Sequence, residues 1–291
     1  MGLSRVPGKE EEPSGNRTFS SAAFQIVEFF KGSRVYLMLI GFGLVLGFWH
    51  MSVDIWRLPR FREMPGLVEV VREWTNSNPA FGISLFTADY YRDMWVSCRR
   101  VGIAFLISTS IGISIGLLLG WSRRFRAYVF PAFELFRPIP VIAWVPLAIL
   151  MFSGRETPVI FLVTMASFFA TALNTKLGVE SIDQSFIRAA LCLGANPRQI
   201  FWHVVIPGAL PYVFTGLQIG MGVAWFSLVV GEMVSGQYGL GYRINAAYST
   251  VAYPTMAVAM ITLGFVGYIC SALVRIVGNV LMQWRVRQLA Q

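Results

Sequence analysis

Long charge-free runs alternate with short polar stretches along this chain. The runs cover residues 35–53, 101–122, 138–154, 157–175, 204–231 and 244–274. At 1.5 Å of rise per residue, about 20 apolar residues cross a hydrocarbon core. The pattern therefore predicts an all-α integral membrane protein with about six transmembrane helices. The run 138–154 is short and contains Pro138, Pro140 and Pro146. Proline lacks a backbone donor and breaks a helix, and lipid does not tolerate the freed polar groups. That span is predicted to be a discontinuous helix lining a cavity, with a simple kink as the alternative.

The polar stretches divide the rest. Residues 1–34 form a tail in which Phe19, Ala23, Ile26, Val27 and Phe30 recur at helical spacing, the pattern of an interfacial amphipathic helix. Residues 35–53 form the first span. No small-x-small cleavage site follows Trp49, so this run is expected to stay as an anchor. Residues 54–94 form an outer segment. The stretch 54–100 is read as lying outside the membrane, with Leu67, Val68, Val71 and Trp74 as a short apolar stripe ended by Asn76 to Pro79. Residues 95–275 hold five further spans, and 276–291 form a second tail. Gly112, Gly116 and Gly120, and again Gly216, Gly220 and Ala224, place a small residue at every fourth position. That spacing lets helix backbones approach closely in lipid.

Composition supports this picture. Hydrophobic residues make up 55% of the 291 and charged residues 13%, with a mean hydropathy of +0.59. Soluble domains carry about 25% charged residues, so lipid solvates much of this surface. The net charge of +9 is scattered between spans, which argues against nucleic acid. With both termini in the cytoplasm, 15 of the 24 Lys and Arg fall inside, in the tails and in loops around Arg123–Arg137 and Lys176–Arg198. The positive-inside rule then gives an N-in, C-in topology.

The chemistry the chain lacks is also informative. His50 and His203 are far apart, and no Gly-Lys-Ser/Thr phosphate loop is present. The chain is expected to bind no cofactor, metal or nucleotide itself, and ATP with its Mg belongs to partner subunits. Cys98, Cys192 and Cys270 have no metal-type spacing and read as apolar fillers.

One polar interruption, residues 183–207, has strong local signals. Asp183 is placed to cap a helix from Gln184 to Leu193, and Gly194 to close it in the left-handed region. Asn196, Pro197 and Gln199 then start a second helix with a variant capping box, before Pro207 and Pro211 mark re-entry. With Ala189 and Ala190 exposed, the first helix is either a plain connector or a knob for a cytoplasmic partner.

The spacing of this segment resembles the permease subunits of ATP-binding-cassette importers. Their signature is Glu-Ala-Ala, three residues, Gly, nine residues, then Ile-x-Leu-Pro. This chain has Arg188-Ala189-Ala190, then Gly194, then Val204-Val205-Ile206-Pro207 at the same intervals. It departs at Arg188, where the family carries an acid. "SCRRVGIAF", "LFRPIPVIAWVPLAILMF", "LPYVFTGLQIGMGVAWFSLVVGEM" and "GLGYRI" are similar to the nitrate, sulfonate, taurine and bicarbonate branch. Gln218 stands there where a basic residue is expected.

The resemblance implies a type I importer permease (MetI-like) fold whose coupling helix carries Arg188, Ala189, Ala190, Gly194, Ala195, Asn196 and Pro197. It implies two ATPase subunits below, a soluble binding protein outside, a second permease copy, most simply an identical one, and a small anionic solute. Candidate pathway residues are Arg137, Pro140, Trp144, Pro146, Gln218, Trp225, Ser227 and Glu232. Arg137 is expected at the cytoplasmic edge of its span, and Glu232 either at an interface or paired. A secondary transporter or channel is the alternative. It would be expected to show an internal repeat or buried mid-span charges, and the sequence shows neither.

Overall fold

The computed structural model describes residues 33–61, 63–79 and 83–282. The amphipathic stripe before Lys31 and the last nine residues, with Arg285 and Arg287, lie outside them. The chain divides into two compact units, residues 1–67 and 68–291.

In the first unit, α1 (Ser33–His50) is apolar on every side and ends in a π turn, Met51–Ile55. His50 Nδ1 lies 2.7 Å from Asp54 Oδ2, and the Trp49 indole donates to the Pro65 carbonyl at 3.2 Å.

The second unit begins in α2 (Leu67–Thr75) and continues through α3 (Ala88–Trp121), α4 (Arg123–Phe136) and α5 (Val145–Met151). It then runs through α6 (Glu156–Glu180), α7 (Gln184–Cys192), α8 (Pro197–Ile200), α9 (Ile206–Ser235), α10 (Leu240–Ser249) and α11 (Tyr253–Leu281). Among the described residues, five helical stretches are long and apolar enough to cross a membrane. The bent pair Arg123–Phe136 and Val141–Met151 brings the number to six when taken as one span.

α6 occupies the centre, packed along α3 on one side and α9 on the other. The two small-residue stripes make this possible. A Cβ on Gly116 would lie 2.5 Å from the Ala172 carbonyl, and one on Gly120 2.4 Å from Val179 Cβ. On the other side a Cβ on Gly216 would lie 2.7 Å from Asn174 Cβ, while Ala224 is fully buried. No larger residue fits at these crossings. A core of Val101, Val163, Met221, Trp225 and Leu228 fills the space beyond them.

Several boundaries differ from those the hydrophobic pattern predicts. Residues 123–136, read as an inner loop, form α4, because Ser122 caps it by accepting from the Phe125 amide. The run 244–274 is two elements: α10 ends at Ser249, and Val251 takes a φ of +59° in the turn before α11. α3 begins at Ala88, inside the stretch read as the outer segment, and at 1.5 Å per residue it is about 51 Å long, more than a hydrocarbon core needs. In α2 the inward residue is Val70, while Val68 and Val71 are exposed. Charges are buried within the bundle, but at one end of it: Asp93 and Arg100 on α3 and Glu232 in the last turn of α9.

Candidate functional site: a docking hairpin and a broken span

The polar interruption folds as its caps dictate. Asp183 Oδ1 accepts from the Ser185 amide at 2.8 Å, and this bond holds the Asp183 carboxyl below the usual carboxylate range. α7 closes with Gly194 at φ +81°, its amide donating to the Leu191 carbonyl at 2.9 Å. Ala195 then donates to the Ala190 carbonyl at 3.0 Å. Asn196 and Gln199 form a complete capping box, each side chain accepting from the other's amide at 2.9 Å. Pro197 opens α8, and a π turn, Phe201–Val205, carries the chain into α9.

The hairpin has two faces. Ile200, Val205, Val179 and Ala209 form a small core, against which Ile187, Ala190 and Ala195 pack. Ala190 is therefore half-buried, which corrects the expectation that it is exposed with Ala189. Arg188, Ala189, Gly194, Asn196 and Pro197 remain exposed. Phe186 at 64% and Leu193 at 88% exposure lie along one flank of α7, and Leu191 is exposed on the other. These apolar side chains make the hairpin a candidate contact surface. Sequence reading missed Phe186 and Leu193 because it looked for small residues, whereas the turn geometry decides which large ones point out.

The second feature is the break between α4 and α5. α4 stops at Phe136, and Pro138 and Pro140 cannot continue it. A 3₁₀ turn, Val141–Trp144, then leads into α5, with Pro146 in its first turn, and the two halves meet at 89°. A break stands where the prolines predicted one, between the end of α4 and the 3₁₀ turn. Arg137 lies at the bend rather than at the end of the span, because α4 already spends about 21 Å of rise before it. Its guanidinium is half exposed, and Pro140 and Pro146 are exposed beside it. Trp144 is partly covered and packs against Phe136 at 6.0 Å.

α9 separates the remaining candidates. Thr215, Ile219, Gly222 and Phe226 recur at helical spacing as an exposed stripe, with Gln218 half-buried alongside. Trp225, Ser227 and Glu232 are buried in the subunit's own interior, so none of the three reaches a surface of this chain. One turn of helix, about 100° per residue, explains why neighbours in sequence face opposite ways.

Glu232 belongs to a buried lock at the end of the bundle opposite the hairpin. Arg100 is 1% exposed and Glu232 fully buried, and they pair at 2.8 Å. Ser97 donates to both Glu232 oxygens at 2.9 Å, and the Gly241 amide donates to one at 2.9 Å. Arg100 also donates to the Tyr238 carbonyl and to Glu156. Asp93 accepts from the Gly239 amide at 3.1 Å and pairs with Arg243 at 2.7 Å. Asp93, Ser97 and Arg100 share one face of α3 at intervals of four and three residues. That spacing was the one legible sign of this cluster. Gly239 takes φ +117°, and a Cβ there would lie 2.4 Å from the Glu232 carboxylate, so glycine alone fits.

Residues 108–290 match the family described as "Binding-protein-dependent transport system inner membrane component". A probable ABC transporter permease of Brucella abortus (strain 2308) is 33% identical over 86% of this chain and 96% of its own length. The taurine transport system permease of Escherichia coli (strain K12) is 33% identical over 68% of this chain and 72% of its own. Among solved structures, an inward-facing form of the MetNI methionine ABC transporter overlays with a TM-score of 0.56. It is 22% identical and covers 66% of this chain and 94% of that one.

Proposed function

The chain belongs to the binding-protein-dependent transport system inner membrane component family, and from that premise we propose how it works. It is a multi-pass inner-membrane permease subunit of an ATP-binding-cassette importer with the type I fold. The finer reading is that it forms half of the translocation pathway for a small anionic solute of the sulfonate, taurine, nitrate or bicarbonate type. A second copy supplies the other half, two separate ATPase subunits supply ATP hydrolysis with Mg, and a soluble binding protein delivers the solute.

The observation that carries this reading is the hairpin. Its two capped helices and left-handed Gly194 hold Phe186, Leu191 and Leu193 out from the bundle as a rigid apolar knob. A knob whose backbone groups are already satisfied loses little conformational freedom on docking. The pathway is then expected along the exposed stripe of α9 and the bend at Arg137, with Pro140, Trp144, Pro146 and Gln218 beside them.

The secondary-transporter alternative calls for buried charges in mid-span, and Arg100, Glu232 and Asp93 are buried at one end of the bundle instead. These groups are fully paired and closed to solvent, which suits a fixed strut better than an ion route. Co-purification separates the two readings. The importer reading expects an ATPase subunit and this chain in equal copies after mild solubilisation, and a chain that purifies alone with full transport sinks it. Topology has its own check. A reporter fused after Gln291 should be active on the cytoplasmic side, as the distribution of basic residues requires. Activity on the other side would reverse the placement of the hairpin.

A further inference from the structure

A charge at mid-depth in a membrane helix is costly unless it meets water or a partner. Arg137 sits at the 89° bend with its side chain 52% exposed. Its one contact among the described residues is Glu134, at 3.4 Å and itself about half exposed. That distance is beyond the usual 2.7–3.2 Å for N–H···O, and a guanidinium carries five donors in a planar fork. Most of the fork is therefore uncommitted. The other exposed cations of the described spans lie near helix ends. Arg92 and Arg99 sit toward the start of α3, Arg123 and Arg124 open α4, and Arg275 falls in the last turns of α11.

We propose that Arg137 is the specificity-determining residue of the pathway, binding the planar or tetrahedral oxyanion head of the solute at the break in the α4–α5 span. This inference rests on the importer reading above. Non-helical backbone within a membrane is tolerated only where protein buries it or where it lines a water-filled cavity, and Arg137, half exposed at the bend, fits the second case. The fork matches a sulfonate, nitrate or bicarbonate with two parallel bonds. Glu134 serves as the resting counter-ion, weak enough at 3.4 Å to be displaced when the anion arrives. Phe136, the neighbour of Arg137 in the chain, packs against Trp144 across the break with ring centroids 6.0 Å apart.

The test uses the whole importer, this chain with its ATPase subunits and binding protein, reconstituted in vesicles. The probes are labelled nitrate, taurine, methanesulfonate and bicarbonate, with glycerol as an uncharged solute. Arg137→Gln is expected to lower uptake of the transported oxyanion at least tenfold. Arg137→Lys, which keeps the charge and loses the fork, should fall between Gln and wild type. Glu134→Gln removes the counter-ion that the anion displaces, so uptake at sub-saturating solute should rise above wild type. Assembly of each complex is checked by size exclusion, and if the Gln variant fails to assemble, the Lys variant decides. Wild-type uptake by Arg137→Gln, or by Arg137→Lys in its place, overturns the role of Arg137 and leaves the importer reading standing. A wild-type complex that imports only the uncharged probe overturns both.

Discussion

Replacing Arg100 with alanine is expected to remove most of the folded protein. The substitution strands Glu232, which has no exposed surface and pairs with no other cation among the described residues. Removing one member of a buried ion pair typically costs about 3–5 kcal/mol, because the charge left behind stays desolvated. Whole domains are stable by only about 5–15 kcal/mol. The same change frees the Tyr238 carbonyl and loosens the turn that leads into α10. Arg99→Ala is the natural control. Arg99 reaches the same Glu156, but both side chains are about half exposed, and such pairs contribute about 0–1 kcal/mol. Purified variants should be compared by thermal unfolding in one detergent. The Arg100 variant should unfold far below wild type, or fail to accumulate, while the Arg99 variant stays close to it. Equal behaviour of the two would show that the buried lock carries no stability.

The second large effect is expected at Leu193. It is 88% exposed beyond the cap of α7 and packs on nothing within the hairpin core, so Leu193→Asp should leave insertion and thermal stability unchanged. Its effect belongs to docking. Loss of a well-packed apolar anchor, with an aspartate desolvated in its place, costs about 2 kcal/mol or more. At 1.4 kcal/mol per factor of ten, that is roughly thirty-fold in affinity for the ATPase subunit. Ala190→Glu gives a useful contrast. Ala190 packs toward Ile200 and Val205, so a glutamate there disturbs the hairpin itself and lowers both stability and capture. A pull-down that compares the two variants separates docking from folding. If Leu193→Asp holds the ATPase as firmly as wild type does, the exposed face of α7 is a connector and the partner binds elsewhere.

Much of this molecule was legible without its structure because the deciding physics is local. A charge-free run of about 20 residues has to span, since hydrocarbon satisfies no polar group. Asp183, Gly194, Asn196 and Gln199 specify two helices and their turn through hydrogen bonds that reach no more than a few residues. Gly116 and Gly216 announced close helix crossings, and Pro138 with Pro140 announced the break. Tertiary structure alone decided what depends on distant partners. The sequence left Glu232 among the pathway candidates, at an interface or paired, and the fold decided for the pair by burying it against Arg100, 132 residues earlier in the chain. Trp225 and Ser227 went inward with it, while Thr215, Ile219 and Phe226 were left open. The reason is angular: each residue turns a helix by about 100°, so the packing of α9 on α6 selects which side chains of one apolar run are covered. The bend, too, was readable as a break, but only the length of α4 set Arg137 at the bend, after fourteen helical residues, rather than at the start of the helix.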